Sequence, residues 1–236
     1  MCLSRPVPPV AARSRRRGAL ACIAMMAVVA QAAAFSYHGY LLSASAGLQQ
    51  RLEMRFGDKV RPRFDDLSAS LAGATRIADE RQRVERINQI GNRARYASDV
   101  TLWQSEDYWA TPAEFTAIAA GDCEDYALAK YFALRELGMP ADKLRITYVR
   151  LLRKGRLENH MVLAYYPAPG AEPWVLDNLD KRFTPASERP DLTPVYSFND
   201  DRVWKVQGGG DRELGSPQQL RKWRELLERV REEVQS

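Results

Sequence analysis

The sequence predicts an α+β domain, with a helix packed on an antiparallel sheet. Three observations carry this. Apolar residues recur at helical spacing as far as Gly138. Beyond that point the period shortens to alternation. The turn-forming stretches "RKGR" and "PAPGAE" then divide the alternating part into strands. Helices followed by a meander is the element order of the α+β class.

The elements follow in order. "SAGLQQRLEMRFG" reads as a helix ending at Gly57, and "RPRFDDLSASLAG" starts behind a proline. Residues 76–97 place Ile77, Val84, Ile87 and Ile90 at helical intervals with charges between them, an amphipathic helix with a solvated face. "SDVTLWQSEDYWATPAEFTAIAAGD" is aromatic and has no clean period. Trp103, Gln104 and Trp109 in it line either a cleft, with Gln104 as an oxyanion donor, or the aromatic core. In "GDCEDYALAKYFALRELG", Asp122 is a good N-cap. Glu124 and Asp125 fall in the first turn, where the helix dipole favours acids. Gly138 and Pro140 stop the helix. Cys123 is thereby put at the first helical position.

"KLRITYVRLL", "LENHMVLAYY" and "PWVLDNL" read as three strands, and a short strand is expected around "VYSFND". "QGGGDRELGS" reads as a flexible linker. Leu220, Trp223, Leu227, Val230 and Val234 then form the apolar stripe of a last helix, which opens at Ser216 and Pro217. The expected organisation is a signal over residues 1–34, a domain over 35–206, and a linker with a C-terminal helix over 207–236.

The first 34 residues differ from the rest. Five arginines (Arg5, Arg13, Arg15, Arg16 and Arg17) precede an apolar run from Gly18 to Phe35 that closes in small residues. This is the order of a secretory signal. An uncleaved membrane anchor is the alternative, because the run is about long enough to span a bilayer. Either way the remainder is expected to be exported. Without those five arginines, the 35 basic residues fall to 30, equal to the 30 acidic ones. The basic excess belongs to the signal, and a nucleic-acid-binding reading loses its support. Cys2 and Cys22 also lie there, which leaves Cys123 as a lone thiol in an oxidising compartment. His38 lies beside the expected cleavage site, so His160 is the one histidine deep in the domain.

A cysteine nucleophile needs a base, and the base needs a third group to fix its tautomer. If the hairpin loop spans Ala168 to Ala171, Val162 faces Asp177 and His160 lies two residues along on the same face. Diagonal neighbours of this kind are about 7–8 Å apart, within reach of a His–carboxylate hydrogen bond. A one-residue slip would send Asp177 to the other face. A helix N-terminus lowers a thiol pKa and offers N–H groups to an oxyanion. Each residue alone has a plain alternative: core packing for Cys123, a satisfied strand histidine for His160, a turn cap for Asp177. Their combination in a domain with one cysteine and one well-placed histidine favours catalysis.

"GDCEDYALAKYFALRELG", "NHMVLAYY" and "WVLDNLDKRFTPASERPDL", in that order, resemble the bacterial transglutaminase-like cysteine proteinase family, and specifically its periplasmic adhesin-cleaving members. "DVTLWQSEDYWATPAEF" also fits. The resemblance spans roughly residues 76–206. It implies a papain-like/transglutaminase-like fold, with Cys123 as nucleophile, His160 as general base and acid, and Asp177 as the orienting residue. It also implies calcium dependence with Asp122 and Glu124 as ligands, extended here to Asp125. Its substrates are the N-terminal regions of large repeat adhesins, cut near a paired-alanine site. Its partner is an inner-membrane cyclic-di-GMP receptor whose periplasmic domain sequesters the protease. Three carboxylates in four residues do offer hard oxygen ligands to Ca²⁺. Plain helix capping explains Asp122 and part of Glu124, but leaves the acids around Cys123 unfavourable for a thiolate. The same triad can serve a transglutaminase, which passes the acyl group to an amine, and a non-catalytic binding module is the reading from another class.

Overall fold

The computed structural model describes Tyr37, residues 39–207 and residues 210–235. The expected signal and His38 lie outside the described residues. No helix among the described residues is long and apolar enough to cross a membrane.

Helices dominate the first half. α1 (Ala46–Phe56) starts at Ser45, whose hydroxyl accepts from the Leu48 N–H, and stops at Gly57. α2 (Val60–Thr75) buries Val60, Phe64, Leu71 and Ala74. α3 (Glu80–Gly91) is capped by Asp79 and turns Val84, Ile87 and Ile90 inward, the stripe the period predicts. The aromatic stretch holds two short helices, α4 (Asp99–Trp103) and α5 (Pro112–Ile118). α5 opens on a capping box in which Thr111 and Glu114 satisfy each other's backbone N–H. Two strand fragments, β1 (Arg95–Tyr96) and β2 (Ala120–Gly121), pair in parallel ahead of Cys123.

α6 (Cys123–Glu136) is the central helix, with Leu128, Tyr131, Phe132 and Leu134 fully buried. It packs against β4 (Arg156–Tyr165) and β3 (Leu144–Arg153). The β3–β4 hairpin turns at Lys154 and Gly155, both at positive φ (50° and 74°). Two such residues match the right-handed twist of the strands. β5 (Trp174–Leu176) and β6 (Thr184–Pro185) extend one side of the sheet. β7 (Leu192–Phe198), β8 (Val203–Lys205) and β9 (Arg212–Gly215) extend the other. The order is β6-β5-β4-β3-β7-β8-β9, antiparallel throughout. Leu163 pairs with Leu176 and Ala164 with Val175. This is the register that sets Asp177 opposite Val162.

The expected linker is corrected in part. Arg212–Gly215 pairs with β8 as an edge strand. Its glycine-rich composition reads as a spacer, but an edge strand needs only a backbone ladder on one side. α7 (Arg221–Val234) packs back on the domain. Trp223 is fully buried, with ring centroids 5.9 Å from Tyr131, 5.9 Å from Phe132 and 5.3 Å from Phe198. The polar side of α7 grips residues 107–114, the loop before α5 and its first turn. Lys222 pairs with Asp107 at 3.1 Å, and Arg229 pairs with Glu114 at 3.0 Å. Arg229 also donates to the Trp109 carbonyl, and Thr111 donates to Glu233 at 2.8 Å.

Candidate active site

Cys123 sits at the head of α6 because Asp122 leaves the helical conformation there, with φ −107° and ψ −162°. The turn is braced by Asp125, whose Oδ2 accepts from the Asp122 N–H at 3.2 Å and whose Oδ1 accepts from the Ala110 N–H at 2.8 Å. Gly121 must be glycine, since a Cβ would lie 2.6 Å from Asp125 Oδ2 and 2.9 Å from the Phe115 ring.

His160 lies on β4 and is buried, as is Asp177 just past β5. Their side chains meet: His160 Nε2 is 2.8 Å from Asp177 Oδ1. An ionised carboxylate only accepts, so Nε2 carries the hydrogen and Nδ1 is left as the basic nitrogen. Burial pushes the Asp177 carboxyl up, but His160, the Leu179 N–H and Arg189 outweigh it and hold it well below the usual carboxylate range. Asp177 is further fixed through its carbonyl, which accepts from Asn92 Nδ2 at 2.8 Å and Lys130 Nζ at 3.1 Å.

The sulfur faces the strand beside His160, where the Met161 backbone N–H favours its anion. Burial and the neighbouring acids oppose it. Burial raises the Cys123 thiol far above its ordinary value, and the charges of Glu124 and Asp122 raise it further. The thiol donates to Glu124 Oε2 at 3.0 Å.

The three acids predicted around the cysteine do come together, and the fold adds two from the aromatic stretch. Asp99, Asp107 and Glu124 have carboxylate oxygens within 4.8 Å of one another, as do Asp99, Asp122 and Asp125. Burial, then repulsion from Glu124, lifts Asp122 to about 8. Burial is also the main cause that lifts Asp99 to about 6. Asp122 Oδ1 and Asp99 Oδ1 are buried with no hydrogen-bond donor. Unpartnered carboxylate oxygens facing other carboxylates fit a hard cation. Asp122, Glu124 and Asp125, with Asp99 and Asp107, are the residues that would hold it. Asp125 also accepts a backbone N–H on each oxygen and so braces the turn.

Of the aromatic candidates, Trp109 belongs to the core, stacked on Phe198 with centroids 5.9 Å apart. Trp103 packs between Phe56 and Tyr108. Gln104 is exposed at the end of α4. Two tyrosines that no sequence motif singles out lie near the acids. Tyr96 is 59% exposed and feels the charges of Asp122, Cys123 and Glu124. Tyr196 feels Glu124 and Asp107, and it stacks on Tyr148 at 5.2 Å.

The sequence model of the bacterial transglutaminase-like cysteine proteinase family matches residues 66–204. Solved structures of LapG from Legionella pneumophila are similar over most of the chain. One has 36% sequence identity and a TM-score of 0.66, covering 78% of this chain and 94% of that one. A calcium-bound LapG has 37% identity and a TM-score of 0.66, covering 79% and 99%. An EGTA-treated LapG has 36% identity and a TM-score of 0.67, covering 78% and 96%. No curated protein matches. The fold, the cysteine at the head of its central helix and these matches agree: the chain belongs to the bacterial transglutaminase-like cysteine proteinase family.

Proposed function

We propose that the chain is an exported, calcium-dependent cysteine endopeptidase that cuts the N-terminal region of a large surface adhesin in the periplasm and so promotes release of biofilm cells. An inner-membrane cyclic-di-GMP receptor is its inhibitory partner. The observation that carries the catalytic part is the buried His160–Asp177 pair, 2.8 Å apart, beside the head of α6. Cys123 attacks the scissile carbonyl. His160 Nδ1 takes the thiol proton and returns it to the departing amine. A water, giving its proton to the same nitrogen, then hydrolyses the thioester, and that proton goes back to the Cys123 sulfur. Asp177 holds the ring by its Nε2–H. The free N–H groups at the head of α6 face the developing oxyanion.

A bound Ca²⁺ supplies positive charge that cancels Asp122 and Glu124 and so lowers the cost of the thiolate. The unpartnered oxygens of Asp99 and Asp122 support this, as does the existence of a calcium-bound LapG at 37% identity. The adhesin, the receptor and the periplasm rest on the family resemblance and the signal-like N-terminus.

One experiment tests the reading. Purified protein is incubated with the N-terminal region of a repeat adhesin, with calcium or with excess EGTA, beside a Cys123→Ala variant. Two fragments with calcium, and none with EGTA or the variant, are expected. Cross-linked ladders would make the chain a transglutaminase. Full cleavage in EGTA would remove the calcium requirement, and adhesin release by the Cys123→Ala variant would make it a binding module.

A further inference from the structure

We propose that Arg189 is a positioning residue for the triad, holding the Asp177 carboxylate in the orientation that keeps its other oxygen on His160. This rests on the catalytic reading of Cys123, His160 and Asp177.

Each oxygen of Asp177 has its own donors. Oδ1 accepts from His160 Nε2 at 2.8 Å and from the Leu179 N–H at 3.0 Å. Oδ2 accepts from Arg189 Nη2 at 2.9 Å. The Arg189 side chain is 3% exposed and that of Asp177 is not exposed at all. A carboxylate turns about a single bond. With Oδ2 unpartnered in this buried place, it would rotate to share the donors of Oδ1 and swing the imidazole with it.

Arg189 is itself clamped. Asp191 takes its Nε at 3.0 Å and its Nη2 at 2.8 Å, a bidentate pair that fixes the guanidinium plane. The backbone around it is held as well. The Arg189 N–H donates to Ala186, the Leu192 N–H donates to Arg189, and the Leu152 N–H on β3 donates to the Asp191 carbonyl at 2.8 Å. Pro190 between them locks its own φ. "SERPDL" is thus a rigid bracket that carries one guanidinium over the back of the triad.

Stability alone explains this poorly. Desolvating an ion pair cancels much of its Coulomb gain, so buried pairs are often near neutral for folding. Asp191 and Asp180 also face Arg189, at 2.8 and 3.9 Å, so neutralising the guanidinium does not by itself call for Asp177. A guanidinium suits the task for a further reason. It stays protonated and has no acceptor, so it cannot compete with His160 for the proton.

The test is a double-mutant cycle with Arg189→Met and Asp177→Asn, after circular dichroism confirms folding. The readouts are kcat and KM for cleavage of the adhesin N-terminal region. A second readout is the rate at which iodoacetamide alkylates Cys123, followed by intact mass; there the sulfur displaces iodide from carbon, and no protein substrate is needed. Arg189→Met is expected to lower kcat and the alkylation rate about 10- to 100-fold with KM unchanged, the cost typical of losing an outer orienting partner. In the Asp177→Asn background the same change should cost less than about 2-fold, because its target is gone. Arg189→Lys keeps the charge but not the fork, and should not restore the rate. Additive losses in the cycle, or a wild-type kcat in Arg189→Met, would overturn the proposal. A wild-type rate in Asp177→Ala, which removes the acceptor on His160, would instead sink the triad reading beneath it. Where Arg189→Met fails to fold, Asp191→Asn frees the guanidinium without removing it. The same cycle then applies: coupling to Asp177→Asn supports the proposal, and additive losses overturn it.

Discussion

Lys130 is a buried cation whose removal should make the protein more stable and less active. The side chain is 1% exposed, runs beside Gly91 and donates to the Asp177 carbonyl at 3.1 Å. Burial lowers its amine from the ordinary 10.5 to about 7, against the pull of Asp177. Above the ordinary lysine value the amine is neutral in the folded and unfolded chain alike, and folding bears no penalty. As pH falls, the unfolded chain takes the proton first, and stability drops until the folded amine also protonates near 7. At about 1.4 kcal/mol per pH unit, the penalty near pH 7 is about 4 kcal/mol, and it shrinks by about 3 kcal/mol by about pH 9.5. Lys130→Met keeps the aliphatic stem and leaves the Asp177 carbonyl its bond from Asn92 at 2.8 Å. The lost hydrogen bond costs about 1 kcal/mol. The variant should therefore be about 3 kcal/mol more stable than the parent near pH 7, with the two nearly equal near pH 9.5. Urea unfolding followed by tryptophan fluorescence across that range measures both curves. Parallel curves, or a variant less stable throughout, would refute the reasoning. The proposed cleavage activity should fall in the variant, because the strand end that carries Asp177 loses a tether.

Two further outcomes are expected. Calcium should raise the unfolding midpoint of the metal-stripped protein, by about 2.7 kcal/mol of stability at a hundredfold excess over Kd; Asp99→Asn should blunt that response in scanning fluorimetry, and an undiminished response would exclude Asp99 as a ligand. Trp223→Ala empties a fully buried site between Tyr131, Phe132 and Phe198 and should cost about 3–5 kcal/mol in denaturant unfolding; a loss below about 1 kcal/mol would mean α7 is not part of the cooperative unit.

What the sequence discloses follows the range of the signals involved. Local signals are readable. Helical spacing places α3, α6 and α7, and the alternation after Gly138 places β3 and β4. The β4–β5 register follows from placing the hairpin loop at Ala168 to Ala171, which pairs Leu163 with Leu176 as found; β4 itself is buried without alternation from His160 to Tyr165. One local signal hides in the aromatic stretch: Thr111-Pro112-Ala113-Glu114 is a capping box that announces α5. Other features are long-range and leave no local trace. β7 joins the sheet at β3, on the far side from β5 and β6. Asp99 and Asp107 reach the acidic cluster from a segment without a clean period. Arg189 reads as an ordinary loop arginine until the fold sets it 2.9 Å from Asp177.

The grip of α7 on residues 107–114 has a consequence for the order in which the enzyme is built. A polypeptide leaves the ribosome, or a translocation pore, N-terminus first. Cys123, His160 and Asp177 are all threaded out before Lys222 and Arg229, whose partners Asp107 and Glu114 wait in the segment beside the acidic cluster. A nascent chain that has emerged only as far as Asp177 lacks the clasp for that segment until α7 follows. The segment beside the acidic cluster is therefore fastened only after more than a hundred further residues have emerged, by a helix far from it in sequence.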